Sequence, residues 1–296
     1  MKFIRVFDIL EKYTSKGGGV MEDEKYSKDA MRVLKETSRT FYIPITFLKA
    51  DLKYSVASAY LILRAIDEIE DHKNLSNETK FDLLMQLSEL FKRPFNEEEY
   101  ANIISPIKEQ LPEVSIRLYE WVQSCPAGSR SFMMETSSEM AFGMAKWAKE
   151  NWQIHTKEDL DDYTYYVAGS VGVYLSKLWN WSYGQEPNEE LAIGFGRGLQ
   201  AVNILRNQKE DIEERGVSFV PDGWSRDQLF AYADENLAKA KAYIETLNER
   251  STVLFCRLPL AFAHKSLAAM KKGQKKMSRA EVEQTVEEVQ LEVDAK

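Results

Sequence analysis

The run Tyr54-Ser55-Val56-Ala57-Ser58-Ala59-Tyr60-Leu61-Ile62-Leu63-Arg64-Ala65-Ile66-Asp67-Glu68-Ile69-Glu70-Asp71 decides the fold class. Its apolar positions recur three and four residues apart, and it holds neither glycine nor proline. That pattern predicts a helix buried along most of its length. The carboxylates gather at its end. Asp67 and Asp71, four residues apart, lie about 40° from each other on one face, and Glu70 lies about 60° to the other side of Asp67. Like charges at this spacing repel, so a cluster at the end of a core helix invites a counter-ion, and hard oxygen ligands suit Mg²⁺ bridging to phosphate. Taken alone, the same cluster reads as a solvated acidic helix end.

The same periodicity returns at 79–92, 112–125, 131–150, 158–181, 189–214, 226–249 and 251–271. Helix starts are expected at Asn77, at Thr156 with Asp159 three residues on, and at Ser225 before Arg226. No strand–helix alternation, hairpin signal or fixed repeat is present. The strand-like Phe41-Tyr42-Ile43-Pro44-Ile45 carries a proline and is read as a helix end or short elbow. With only 14 glycines and 8 prolines in 296 residues, turn-formers are too scarce for an all-β chain. The expectation is an all-α, single-domain bundle of eight to eleven helices. Breaks fall at 17–23, near Lys92-Arg93-Pro94, at Cys125-Pro126-Ala127-Gly128 and over 216–223. They divide the chain into an N-terminal amphipathic helix and linker (1–22), a main domain (23–275) and a charged, solvated C-terminal helix or tail (276–296).

Charge and composition exclude several functions. Lys and Arg number 39 against 47 Asp and Glu, a net charge of −8, which lacks the basic footprint of a nucleic-acid binder. Two cysteines, Cys125 and Cys256, rule out a disulfide scaffold or a four-thiolate zinc site. Residues 1–10 have a short apolar core with Asp8 inside it, unlike a secretory signal, and no stretch reads as a membrane span. A cytoplasmic protein is expected. His72, His155 and His264 show no ligand spacing, and Trp147, Trp152, Trp179 and Trp181 read as packing, with the lining of a substrate tunnel as the alternative for one of them.

A second polar stripe lies in Gln200-Ala201-Val202-Asn203-Ile204-Leu205-Arg206-Asn207-Gln208-Lys209-Glu210-Asp211. Asn203, Asn207 and Asp211 follow at i, i+4 and i+8 on one stripe about 80° wide, with Arg206 and Glu210 beside it. Two carboxamides and a carboxylate are again oxygen donors for a divalent cation. Cations held between two such stripes would bind a diphosphate and stabilise it as a leaving group. An apolar cavity walled by Phe41, Tyr163, Tyr166, Val167, Leu175 and Phe262 would keep water from a carbocation, which aromatic faces also stabilise.

With these residues in view, the chain resembles the squalene/phytoene synthase family. Ser38-Arg39-Thr40-Phe41 resembles its early Ser-Arg-x-Phe segment, and Asp67 to Asp71 its first aspartate-rich motif in the D-x-x-E-D form. Tyr163-Thr164-Tyr165-Tyr166-Val167-Ala168-Gly169-Ser170-Val171-Gly172 is similar to its Y-x-x-Y-V-A-G-x-V-G block, and Leu199 to Asp211 to its second motif. A weaker echo lies in Phe255-Cys256-Arg257-Leu258-Pro259 and Lys272-Gly273-Gln274, and the blocks together run from about residue 36 to 275.

The resemblance implies a class I isoprenoid synthase fold, a helical bundle around a deep apolar cavity. It implies Tyr163, Arg64 and Arg206 as catalytic residues. Ser38, Arg39, Phe41, Tyr60, Val167, Gly169 and Gln200 would bind substrate. Asp67, Glu70, Asp71, Asn203, Asn207, Glu210 and Asp211 would hold Mg²⁺. The implied reaction joins two prenyl diphosphates, here farnesyl, head to head through a cyclopropylcarbinyl diphosphate to squalene or a related C30 product. Squalene-forming members then use NADPH. Lipid substrates and products imply transient, peripheral membrane contact.

Two departures stand out. Asn207 occupies a position where the family has aspartate, which removes a negative charge. The family's Gly-Arg pair before an aromatic-x-Pro turn is replaced by Arg215-Gly216-Val217-Ser218 before Phe219-Val220-Pro221, which puts the reductive step in question. Asn203, Asn207 and Asp211 also resemble the metal triad of class I terpene cyclases, so ionisation of a single prenyl diphosphate is an alternative. A non-catalytic lipid-binding or assembly member is a third reading, opposed by the intact Asp67, Asp71, Asp211 and Tyr163.

Overall fold

A computed structural model describes residues 21–274 and 277–295. The expected N-terminal helix therefore lies outside the described residues, and of the 1–22 segment only residues 21 and 22, expected as linker, are described, where they open the first helix. Every regular element among the described residues is helical. The α-helices are α1 (Met21–Thr37), α2 (Arg39–Thr46), α3 (Ala50–Glu70), α4 (Asn77–Phe91), α5 (Glu97–Ile104), α6 (Glu113–Ile116) and α7 (Leu118–Ser124). They continue as α8 (Ala127–Lys149), α9 (Lys157–Thr164), α10 (Ser170–Tyr183), α11 (Glu189–Arg215), α12 (Arg226–Glu245), α13 (Arg250–Lys271) and α14 (Arg279–Asp294). The number exceeds the eight to eleven expected because short helices such as α2, α5 and α6 are below the window in which periodicity is legible.

The chemistry of the ends explains most boundaries. Thr156 and Ser225 cap α9 and α12 with reciprocal boxes through Asp159 and Gln228. Ser76, rather than Asn77, caps α4 by accepting from the Thr79 amide. Pro44 sits inside α2, so the expected elbow is a single short helix. The helix expected over 158–181 is interrupted by a π segment, Tyr165–Gly169. Close backbone packing accompanies it. A Cβ on Gly196 would lie 2.2 Å from the Ala168 carbonyl oxygen, and one on Gly172 would lie 2.1 Å from that of Ala192. Only glycine lets α10 and the π segment approach α11 this closely.

α3 runs through the core against α1, α6, α7 and α8, while α11 packs between α10 and α12. α13 is long and apolar enough to cross a membrane by composition, yet 44% of that window is buried in the bundle. It carries Leu254, Cys256 and Leu258, each completely buried. The charged C-terminal segment differs from expectation. α14 is solvated on one side only: Val289 is 5% exposed and packs with Leu254, Leu258 and Phe262 in a satellite core. Arg257–Glu292 and Lys265–Glu288 ion pairs rim that contact at 3.1 and 2.7 Å. A valine stripe at helical spacing (Val282, Val286, Val289, Val293) outweighs the surrounding charge.

Candidate active site

Leu61, Ile62, Ala65, Ile66 and Ile69 of α3 are at most 1% exposed. One stripe of the same helix stays half-buried: Tyr60, Leu63, Arg64, Asp67 and Asp71. At its C-terminal end Asp67, Glu70 and Asp71 each bring a carboxylate oxygen within 4.8 Å of the others. The helix dipole is negative at this end, so three carboxylates here oppose both each other and the backbone. Burial, with Asp71 adding to it, pushes Asp67 up to about 7, and burial pushes Glu70 up to about 8. Such a site calls for cations. Arg64 supplies one, donating to Asp67 Oδ2 at 2.5 Å and to Glu68.

α11 brings its own C-terminal end to the same place. Arg215, its last residue, donates from Nη1 to Asp71 Oδ1 at 2.6 Å and from Nη2 to Glu70 Oε1 at 2.8 Å. Lys73 and Glu214 add a second link between the two helix ends at 2.6 Å. Gly216, at φ 70°, then turns the chain back in a left-handed cap that a side chain would strain. One turn upstream Asp211 is half-buried. Burial pushes it up to about 6, and Asp71 is among the charges acting in the same direction. The Asn207 amide donates to Asn203 Oδ1 at 3.1 Å, and Arg206 donates to both side-chain oxygens.

A series of ring contacts backs this junction. Tyr163, 5% exposed, stacks on Phe219 with centroids 5.0 Å apart and meets Trp147 edge-on at 5.9 Å. Trp147 is itself held by a hydrogen bond from Nε1 to Asp162 Oδ2 at 2.9 Å. The Arg215 guanidinium lies 5.2 Å from the Phe219 ring centre and 4.7 Å from that of Trp152. Lys80 Nζ lies 5.0 Å from the Trp152 centre. Trp152 and Phe219 both have left-handed backbones, at φ 49° and 53°. Such conformations in aromatic residues persist only where surrounding contacts enforce them. Burial holds the Tyr163 hydroxyl neutral well above its ordinary range, with Glu70 the next contributor.

The donor set fits a divalent cation. Three carboxylates are grouped at Asp67, Glu70 and Asp71, and the neighbouring α11 end adds amide and carboxylate oxygens, all hard ligands of the kind Mg²⁺ takes.

The model for squalene/phytoene synthase matches residues 34–229, well over half of the chain. The chain belongs to this family. Rat squalene synthase is 27% identical over 270 residues, covering 82% of this chain and 63% of the rat protein. The Botryococcus squalene synthase of Botryococcus braunii is 30% identical over 230 residues, covering 74% of this chain and 48% of that protein. The chain thus spans a little under two thirds of the length of the mammalian relatives. A ligand-bound structure of TcSQS superposes with a TM-score of 0.75 at 21% identity, covering 91% of this chain and 89% of that one. A dehydrosqualene synthase in complex with ligand gives 0.56 at 22% identity, covering 93% and 99%. The isoprenoid synthase fold expected from the sequence is the fold observed.

Within this squalene/phytoene synthase fold the sequence-predicted residues separate. Asp67, Glu70, Asp71, Asp211 and Tyr163 come together at the meeting of α3 and α11, with Arg64, Arg206, Asn203 and Asn207 on the same two helices. Phe41 and Tyr60 pair at 5.8 Å, and Ser38 caps α2 beside them. Val167, Leu175 and Gln200 are half-buried. The Arg39 side chain lies outside the described residues. Glu210 is exposed on the outer side of α11.

Two expectations, for Phe262 and Gly169, need correction. Phe262 belongs to the satellite core beneath α14 and not to the wall of the site. Tyr166 is half-buried and packs on α8, its ring 6.1 Å from exposed Phe142 and filling the space left by Gly143. Gly169 is buried against Ile193, which is helix packing rather than an open contact surface. Arg215, Lys80 and Trp152 were missed as members of the site. Lys80 did carry a signal: it interrupts the buried stripe Lys80, Leu83, Leu84, Leu87 of α4, where a cation stands only with a partner.

Proposed function

We propose that this protein is a Mg²⁺-dependent prenyltransferase that joins two farnesyl diphosphates head to head, through a cyclopropylcarbinyl diphosphate, to squalene or a related C30 hydrocarbon. The observation that carries the reading is the convergence of Asp67, Glu70 and Asp71 within 4.8 Å beside buried Tyr163. Asp67, Glu70 and Asp71, with Asn203, Asn207 and Asp211 of α11, would hold Mg²⁺, which would supply Lewis-acid polarisation of the diphosphate. The C1–O bond breaks with its electron pair going to the pyrophosphate oxygen. Arg64, Arg206 and Arg215 supply donors and positive charge to that leaving group.

The allylic cation then meets the double bond of the second farnesyl chain, a new C–C bond forms, and loss of a proton to the departed pyrophosphate closes the cyclopropane. Squalene would then require loss of the second pyrophosphate and a hydride from NADPH to the rearranged cation. Tyr163, held neutral, offers a hydrogen bond to the departing pyrophosphate rather than acting as a standing base. Half-buried Phe41, Tyr60, Val167, Val171, Leu175 and Leu199 are inferred to wall the prenyl chains. Peripheral contact of a cytoplasmic protein with a bilayer would let substrate enter and hydrocarbon leave.

A second reading, ionisation of one prenyl diphosphate as in a terpene synthase, is supported by the neutral Asn203–Asn207 pair, which leaves Asp211 as the one charged member of that triad. One assay separates them. The protein is incubated with Mg²⁺ and farnesyl, geranylgeranyl or shorter diphosphates, with and without NADPH, and the hydrocarbons are identified. A C30 product supports coupling, and its dependence on NADPH reports the reductive step. A product of the substrate's own carbon count supports the second reading, and absence of pyrophosphate release overturns both. Asp67→Ala or Asp71→Ala should abolish turnover with helical content intact, and near-normal rates would refute the metal assignment.

A further inference from the structure

Two protein cations stand inside the acidic end of α3. Arg215 gives its fork to Glu70 and Asp71 at 2.8 and 2.6 Å. Lys80, 5% exposed, shares the Trp152 ring with it, at 5.0 Å from the ring centre against 4.7 Å for the guanidinium, and feels the charges of Glu70 and Asp71. Both act on the carboxylates that a divalent cation would take. A positive charge fixed a few Å from the ligand oxygens opposes a second cation and attracts a multiply charged anion. Taking Asp67, Glu70 and Asp71 as the metal ligands of the proposed function, we propose that Arg215 couples the loading of metal and diphosphate. It holds Glu70 and Asp71 against a divalent cation that arrives alone, and becomes a contact to the diphosphate once that anion is present.

The position of the guanidinium is built rather than incidental. It engages one oxygen on each of two consecutive carboxylates, Glu70 at the end of α3 and Asp71 in its C-cap position. It also lies 4.7 and 5.2 Å from the rings of Trp152 and Phe219, both left-handed. Glu70 is 3% exposed, so Arg215 neutralises a carboxylate that water does not solvate well. A lysine could match the charge but not the two-pronged geometry. If the guanidinium leaves the carboxylates when diphosphate binds, its inhibition of the metal is relieved at that moment, and because coupling is reciprocal the metal must raise pyrophosphate affinity by the same factor as pyrophosphate raises that of the metal.

Equilibrium dialysis of Mn²⁺ against the full chain, alone and with saturating inorganic pyrophosphate, tests this without turnover. Wild type should bind Mn²⁺ weakly alone and much more tightly with pyrophosphate. Arg215→Gln should bind Mn²⁺ alone on the order of tenfold more tightly, and the gain from pyrophosphate should shrink by a similar factor. Arg215→Lys should move in the same direction by a smaller factor, and it decides the matter if the glutamine variant does not fold. Unchanged or weaker Mn²⁺ binding by the folded variant overturns the coupling role, as does an unchanged pyrophosphate gain. Wild type that binds no Mn²⁺ under either condition overturns the metal assignment itself, a distinct result.

Discussion

Phe219 offers the sharpest test of how the site is built. Its ring is 3% exposed, stacks on Tyr163 at 5.0 Å and lies 5.2 Å from the Arg215 guanidinium, while its backbone sits at φ 53°. Truncation to alanine removes the ring and keeps the strained backbone. Loss of a buried aromatic side chain costs about 3–5 kcal/mol. Truncation to glycine loses the same ring but relieves a left-handed conformation worth roughly 1–2 kcal/mol. Glycine gives back about 0.4–1 kcal/mol through the extra freedom of its unfolded chain. Phe219→Gly should therefore be more stable than Phe219→Ala by about 0.5–1 kcal/mol, the reverse of the usual order. Urea denaturation followed by far-UV circular dichroism gives the two midpoints directly. Both variants should also lose turnover alike, because Tyr163 and Arg215 share the missing ring. An alanine variant as stable as the glycine variant would refute the enforced backbone, and full turnover in either would refute the supporting role of the ring.

Other expectations follow from particular contacts. Gly196→Ala would place a Cβ 2.2 Å from the Ala168 carbonyl oxygen, so α11 and the π segment must separate, with a stability loss of about 1–3 kcal/mol; an unchanged thermal midpoint would sink that claim. Asn207→Asp adds a carboxylate beside Asn203 and Arg206 and should shift the product distribution, whereas an unaltered profile would make the amide a neutral replacement. The His155 Nδ1 and Asp222 Oδ2 atoms are 2.8 Å apart, and Asp222 raises His155 above its ordinary 6.5. That pair therefore contributes below about pH 6.5 and fades as the pH rises through the folded value. NMR titration of the ring should show a lower midpoint in Asp222→Asn, and an unmoved midpoint would contradict the pairing.

Much of this molecule is local in origin and so can be read along the chain. The period of 54–71 made α3 a core helix before any contact was known, and its carboxylates at i, i+3 and i+4 lay on one side by helix geometry alone. The same held for Asn203, Asn207 and Asp211, and for the capping residues Thr156 and Ser225. Periodicity reports that a face is buried but not what buries it. That is why the pattern puts Phe262 in the wall of the site, when it lies under α14.

Which groups complete the acidic cluster was decided only in three dimensions. Arg215 lies 145 positions from Glu70, and Lys80 and Trp152 come from two further parts of the chain. Their meeting depends on how the C-terminal end of α11 and the first turn of α4 are set against α3, which no local pattern encodes. Helical spacing determined that carboxylates would crowd the end of a buried rod. Because that crowding is unfavourable at the negative pole of a helix, the tertiary fold had to bring cations to it, and packing alone chose which ones.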